Sequence, residues 1–180
     1  MAATPTSKTS PGLEVTASRA AFEALYRSSR DDLYAYVAGV LRDRSAAEDV
    51  TALAFERAYR KADRFDPSRG SQRAWLFGIA RNAALDELRK RQRQAELTTE
   101  PVDEHGPSPA DEAGLALRRA TVREAISRLE PTERELVALK FFAGLSNGEV
   151  AAVVGVSESN AGTKLHRVIE KLRRACNDEA

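Results

Sequence analysis

The chain has 180 residues, which suits one medium domain or two small ones. Hydrophobic residues make up 42% of it and charged residues 31%, so the chain can bury a core. Its 28 Lys and Arg nearly balance 27 Asp and Glu, which excludes a uniformly basic surface. The lone Cys176 excludes an intramolecular disulfide and a zinc site with several thiolate ligands. No apolar run reaches the roughly 18–20 residues of a membrane span, so we expect a cytoplasmic protein without membrane insertion.

Two helices are predicted in the first part of the chain. Residues 1–18 are rich in Thr, Ser and Pro and lack a hydrophobic stretch, which favours a disordered tail over a secretory signal. Apolar residues then recur at steps of three and four from Arg19 to Leu41, as in an amphipathic helix. Ser45 and Glu48 have the spacing of a capping box and predict a second helix. The outer stripe of this second helix would consist of Asp49, Ala52, Glu56, Arg60 and Asp63.

A third helix is predicted from about Gln72 to Gln94, after turn residues that end with Ser71 as a possible cap. Trp75, Ile79, Asn82, Asp86 and Arg89 would share one face of it. A basic helix with an exposed Trp suits single-stranded nucleic acid, because the ring stacks on unpaired bases while cations hold phosphates. The alternative, that Trp75 packs against the first two helices, remains open at this point.

The charge reverses after the third helix. Residues 69–94 carry seven Lys and Arg against two acids, whereas residues 95–112 carry six acids and no Lys or Arg. The acidic stretch also contains three prolines. This composition predicts a flexible, self-repelling linker over residues 95–114.

The second half is predicted to be helical again, from Leu115 to Leu129 and then from Pro131. Pro131 suits a first helical turn, and Thr132 and Glu135 have the spacing of a capping box. Gly144 would end this helix.

Residues 145–174 carry the strongest pattern. Ser146 and Glu149 form a further capping box, Gly155 suits the left-handed position after a short helix, and Ser157 can cap a longer basic helix. A short helix, a glycine turn and a basic helix together predict a helix-turn-helix, although plain helical bundles share this pattern. The base-reading side chains would be Ser159, Asn160, Thr163 and Lys164, with Arg167 and Lys171 on phosphates.

The expected fold is therefore all-α, with two small helical domains joined by a flexible acidic linker, the second domain a helix-turn-helix domain. The predicted domains are residues 19–94 and 115–176, and residues 177–180 form a short tail.

Several segments resemble bacterial sigma factors. Their polymerase-binding region is similar to two segments of this chain, Ala47–Val50 and Phe55–Arg60. Ala74–Asn82, followed by Asp86 and Arg89, resembles the helix that melts the promoter and reads its minus-ten element.

The second half extends the resemblance. The domain that reads the minus-thirty-five element in these proteins is similar to one long segment here, which begins with Leu129–Glu135 and runs through Leu165–Arg167. The absence of a large middle domain makes the chain similar to the extracytoplasmic-function (ECF) group, and the resemblance covers about residues 20–94 and 115–174, in order.

The resemblance implies a non-enzymatic specificity subunit that binds core RNA polymerase and promoter DNA, as duplex and as melted single strand. It also implies control by an anti-sigma protein. No cofactor, metal or nucleophile–base pair is expected, and His105 and His166 are isolated. The implied polymerase-binding residues are Asp49, Ala52, Glu56 and Arg60. The implied minus-ten residues are Arg69, Arg73, Trp75, Arg81, Asn82, Asp86, Arg89 and Lys90. The implied minus-thirty-five residues are Ser159, Asn160, Thr163, Lys164, Arg167 and Lys171.

Two other classes of function remain open. A helix-turn-helix repressor or activator that acts without polymerase would have a self-complementary interface and a palindromic site. An all-helical interaction protein would leave both basic faces merely solvated and show no salt-dependent affinity for DNA.

Overall fold

The computed structural model describes residues 11–97 and 113–178, with side chains over 19–94 and 119–177. Within these ranges the chain is helical and contains no strand, which confirms the predicted all-α class and the two helical regions. The first region consists of α1 (Pro11–Leu41), α2 (Arg44–Arg60) and α3 (Gln72–Leu97). The second consists of α4 (Ala113–Ser127), α5 (Pro131–Val137), α6 (Asn147–Val154) and α7 (Glu158–Asp178). No described helix is both long and apolar enough to cross a membrane.

Several helix limits differ from those predicted. α1 begins at Pro11 rather than Arg19, and Pro at a helix start gives up no helical hydrogen bond. The rest of the predicted tail, and most of the predicted linker, lie outside the described residues. α7 ends at Asp178, so it includes the first part of the predicted short tail.

Two of the predicted capping boxes are wrong. The cap of α2 is Asp43, whose carboxylate accepts a hydrogen bond from the backbone N–H of Ala46 at 3.0 Å, and Ser45 already lies inside the helix. At α5 the backbone N–H of Glu130 donates to the Glu133 carboxylate at 3.1 Å. Glu135 turns inward instead of capping.

The other helix signals behave as the sequence predicts. Ser71 Oγ accepts from the backbone N–H of Ala74 at 3.0 Å, and Ser146 and Glu149 form a complete capping box. Gly144 and Gly155 have φ of +64° and +75°, in the left-handed region that favours glycine. A π-helical turn over Ala138–Phe142, which the sequence pattern did not predict, widens the chain between α5 and Gly144.

The two regions are packed on each other. α6 lies on α3, and α1 contacts both α5 and the π turn. Leu139, Leu145 and Val150 of the second region are buried in the same apolar cluster as Leu33 and Phe77 of the first. This arrangement places the predicted minus-ten face of α3 next to the short helix of the helix-turn-helix.

Candidate nucleic-acid and polymerase interface

The predicted polymerase-binding stripe lies on the outer face of α2. Asp49, Ala52, Glu56 and Arg60 are all exposed, because Val50, Ala54 and Ala58 occupy the buried face. Glu56 Oε1 and Arg60 Nη2 lie 2.6 Å apart, one helical turn from each other. The stripe therefore presents two carboxylates and one guanidinium to any partner that docks there.

An aromatic groove adjoins this stripe. It has a volume of about 740 Å³ and runs between α1 and α2, with Tyr26, Tyr34, Phe55 and Ala52 in its wall. The rings of Tyr26 and Phe55 lie 4.7 Å apart, and 40% of the Tyr26 surface is exposed. The sequence pattern alone does not indicate that Tyr26 and Phe55 meet. The sequence feature that could have indicated this groove is the presence of aromatic residues on two consecutive helices.

The predicted minus-ten residues fall into three groups, the first of which surrounds a cavity of about 430 Å³. Arg69, Trp75 and Asn82 line it together with Phe65 of the preceding loop. The Phe65 and Trp75 rings are tilted by 55° with centroids 5.6 Å apart, so Trp75 is half-buried against this loop. A cavity of this size with two rings and a cation has the chemistry to hold a planar base.

The loop beside the cavity is shaped by Asp66. Its carboxylate accepts hydrogen bonds from the Ser68 hydroxyl at 2.7 Å and from the Ser68 backbone N–H at 2.9 Å. These bonds, the hydroxyl first, lower the pKa of Asp66 below its ordinary value. Asp66 thus stays ionised and fixes the turn that carries Arg69.

The second group, Arg73 and Arg81, is directed toward the second region of the molecule. Arg73 Nη2 donates to Asp32 at 2.7 Å and also to the backbone carbonyl of Ala143. Arg81 Nη2 donates to Glu135 at 3.2 Å. In this arrangement both guanidinium groups donate hydrogen bonds to other groups of the protein. Their role in DNA binding stays a prediction.

The third group lies farther along α3. Asp86, Arg89 and Lys90 are exposed, with Arg89 Nη1 3.4 Å from Asp86 and Lys90 Nζ 3.5 Å from Glu87. Both cations are mostly exposed, and ion pairs at a surface are weak, so a phosphate can replace the carboxylate partners of Arg89 and Lys90.

The recognition helix of the predicted helix-turn-helix is α7. Ser159, Asn160, Thr163, Lys164, Arg167 and Lys171 are all exposed, while Leu165 and Val168 are buried behind them. Ser157 Oγ accepts from the backbone N–H of Asn160 at 3.3 Å and caps the helix. Lys171 Nζ lies 2.7 Å from Glu133 of α5, so this cation is engaged within the domain. The structure thus brings all six residues to one open face.

The described residues contain no group of three or more His, Cys, Asp or Glu side chains that could hold a metal. Cys176 is half-buried near the end of α7.

Two family models match the chain. Sigma-70 region 2 matches residues 25–94, and Sigma-70, region 4 matches residues 119–172. The chain is 35% identical over 163 residues to the ECF RNA polymerase sigma factor BldN of Streptomyces coelicolor, covering 89% of this chain but only 62% of that protein. It is 29% identical over 158 residues to the ECF sigma factor SigL of Mycobacterium tuberculosis, covering 87% of this chain and 89% of that one.

A solved structure shares the fold. The sigma factor RpoE of Bartonella quintana, in complex with the anti-sigma factor NepR, aligns with a TM-score of 0.74 and 24% identity. The alignment covers 87% of this chain and 97% of that one.

Proposed function

Since this chain belongs to the extracytoplasmic-function sigma factors, we propose that it binds core RNA polymerase and directs it to a set of promoters. The observation that carries the proposal is the match to both sigma regions in the order that one promoter requires. Such a subunit contributes recognition and no bond chemistry of its own, and it acts in the cytoplasm, where DNA and polymerase meet. An anti-sigma protein would hold it inactive until a signal arrives.

Each exposed face has one role in this proposal. The α2 stripe with Asp49 and Glu56 docks on core polymerase. The cavity around Trp75 receives a base from the melted minus-ten element, and α7 enters the major groove of the minus-thirty-five duplex. The separation of these three faces on different helices supports their simultaneous use.

The test is transcription from a pool of genomic fragments by core polymerase, with and without this chain. We expect the chain to produce transcripts that start downstream of a shared pair of sequence elements. Tight, salt-insensitive binding of the free chain to a palindrome, with no transcript, would instead identify a repressor. The absence of both transcripts and salt-dependent DNA affinity would identify an interaction protein.

A further inference from the structure

The two helices of the helix-turn-helix meet where α7 lacks a side chain. Gly162 lies in the first turns of α7, directly before Thr163, and is half-buried beside α6. Among the described residues, Asn147 Nδ2 is the one atom from outside α7 that lies within 4 Å of a Cβ built on Gly162, at 3.8 Å. The missing side chain therefore leaves a notch in the recognition helix, and the side-chain amide of Asn147 borders this notch.

The Asn147 amide is free to bind a ligand. Asn147 is the first residue of α6 and is partly exposed, and the neighbouring capping box uses Ser146 and Glu149 instead. Within the part of the chain that the structure describes, the amide has no hydrogen-bond partner. An amide presents a donor and an acceptor side by side, so it can pair with both N6 and N7 of an adenine in the major groove.

The charges around Asn147 favour a base over a phosphate. In a helix-turn-helix the first helix ordinarily crosses the DNA backbone. Here Glu158 of α7 places its Oε2 atom 3.6 Å from a Cβ built on Gly148 of α6. Glu149 Oε2 accepts a hydrogen bond from the backbone N–H of Ser146 at 3.0 Å. Two carboxylates thus flank the start of α6 and repel a phosphate there, whereas a neutral base edge meets no such repulsion.

We propose that Asn147 is a further base-reading residue: its amide reaches past Gly162 and pairs with an adenine of the minus-thirty-five element, beside the base that Thr163 contacts. The glycine contributes in two ways, because the absence of a Cβ lets α7 approach the base pairs closely and leaves the space that the amide uses. Both helices of the helix-turn-helix then contact bases. This inference rests on the proposed function, in which α7 enters the groove of the minus-thirty-five duplex.

A change of base preference tests the assignment. A promoter of the wild-type chain is varied one base pair at a time across its minus-thirty-five element and transcribed by core polymerase with each variant. We expect Asn147→Ala to lower transcription about fivefold or more where one position holds adenine, and to leave the other bases there unaffected. Asn147→Asp keeps the side-chain size but only accepts hydrogen bonds, so it should prefer cytosine at that position, whose N4 amino group donates. Asn177→Ala, which removes an exposed amide near the end of α7, is the matched control.

The outcomes separate this inference from the proposed function. An equal loss from every promoter in Asn147→Ala would assign the residue to the DNA backbone or to stability, and it overturns base reading. Unchanged base preferences in both Asn147 variants overturn it as well, and in either case the proposed function stands. If the wild-type chain directs no transcription from any promoter, the proposed function fails, and the inference with it.

Residue 162 provides an independent test of the notch. Gly162→Arg fills the notch with a long side chain and separates Asn147 from the base, whereas Gly162→Ala adds only a Cβ at an ordinary contact distance of 3.8 Å from the amide. We expect Asn147→Ala to have its full effect on base preference in the Gly162→Ala chain and no further effect in the Gly162→Arg chain. Thermal unfolding of each variant checks that the fold is retained. Equal effects of Asn147→Ala in both backgrounds overturn the role of the notch.

Discussion

Asp43 and Arg91 are 48 residues apart in the sequence, yet Asp43 Oδ2 lies 3.0 Å from Arg91 Nη2. The other oxygen of Asp43 accepts the backbone N–H of Ala46. One carboxylate therefore caps α2 and fastens it to the later turns of α3. This fixes the predicted polymerase-binding stripe relative to the predicted minus-ten helix.

Replacing this carboxylate should weaken the first region. We expect Asp43→Ala to lower the free energy of unfolding by about 1 kcal/mol, the usual cost of a lost helix cap, as measured by urea denaturation. Ser45→Ala is the matched control, since Ser45 lies inside the helix and is exposed. Asp43→Asn should retain most of the stability because an amide oxygen can still cap. A larger loss in Ser45→Ala than in Asp43→Ala would contradict this assignment.

The choice between Asp43 and Ser45 shows how far the sequence alone could predict this fold. Helical periodicity identified the main helices, and Ser71, Ser146, Gly144 and Gly155 marked several of their ends correctly. The sequence pattern placed the cap at Ser45, whereas the structure places it at Asp43, two residues earlier, where the same carboxylate also pairs with Arg91 of α3. The spacing of Ser45 and Glu48 contains no information about this contact between two helices.

Contacts between the regions were not predictable for a similar reason. Glu135 follows a proline start with the spacing of a surface capping residue, and its partner Arg81 lies 54 residues earlier. The apolar residues around Glu135 predict burial but not which surface covers them. Exposure of the α2 stripe and the α7 face was predictable, because in each case the buried residues of the same helix determine it.

The second region should lose stability in acid through Glu133. A hydrogen bond from Lys171 is the main cause that lowers the pKa of Glu133 below its ordinary value. A carboxylate with a lowered folded-state pKa stabilises the fold above its unfolded pKa, and this contribution disappears as the pH falls through the folded value. The difference in unfolding free energy between wild type and Glu133→Gln should therefore be largest at neutral pH and shrink in acid.

Lys171→Ala is the partner control for this pH dependence. It removes the same hydrogen bond, so its stability difference from wild type should shrink over the same acidic range. A Glu133→Gln difference that does not change between neutral and acidic pH would show that the pair contributes nothing through ionisation.

Glycine substitutions in the helix-turn-helix should have opposite effects. A Cβ on Gly162 would meet nothing nearer than Asn147 Nδ2 at 3.8 Å, so Gly162→Ala should raise the stability by up to about 1 kcal/mol through helix propensity. Gly155 has φ of +75°, so Gly155→Ala should lower the stability by about 1–2 kcal/mol. Thermal unfolding of both variants measures the contrast. A lower melting temperature in Gly162→Ala would contradict the first expectation.

Charge reversal on the α2 stripe should weaken polymerase binding. Asp49→Arg combined with Glu56→Arg replaces two exposed carboxylates without touching the buried face, so the fold should survive. Charges at an interface usually matter by roughly one to a few kcal/mol when they are partly desolvated. A pull-down of core polymerase measures the loss. Glu124→Arg with Glu158→Arg gives the same change in net charge elsewhere, and a similar loss in that control would remove the assignment.

We expect the recognition helix to use different residues for recognising bases and for contacting phosphates. Asn160 and Lys164 lie in the first turns of α7, which enter the groove, and each directional contact to a base edge discriminates by about 1–3 kcal/mol. Arg167 lies farther along, where the helix diverges toward the backbone, and a phosphate contact carries no sequence information. We therefore expect Asn160→Ala and Lys164→Ala to change which minus-thirty-five sequences are transcribed. Arg167→Ala should weaken all promoters alike. A panel of promoter variants transcribed by each mutant measures this, and a changed preference in Arg167→Ala alone would reverse the two roles.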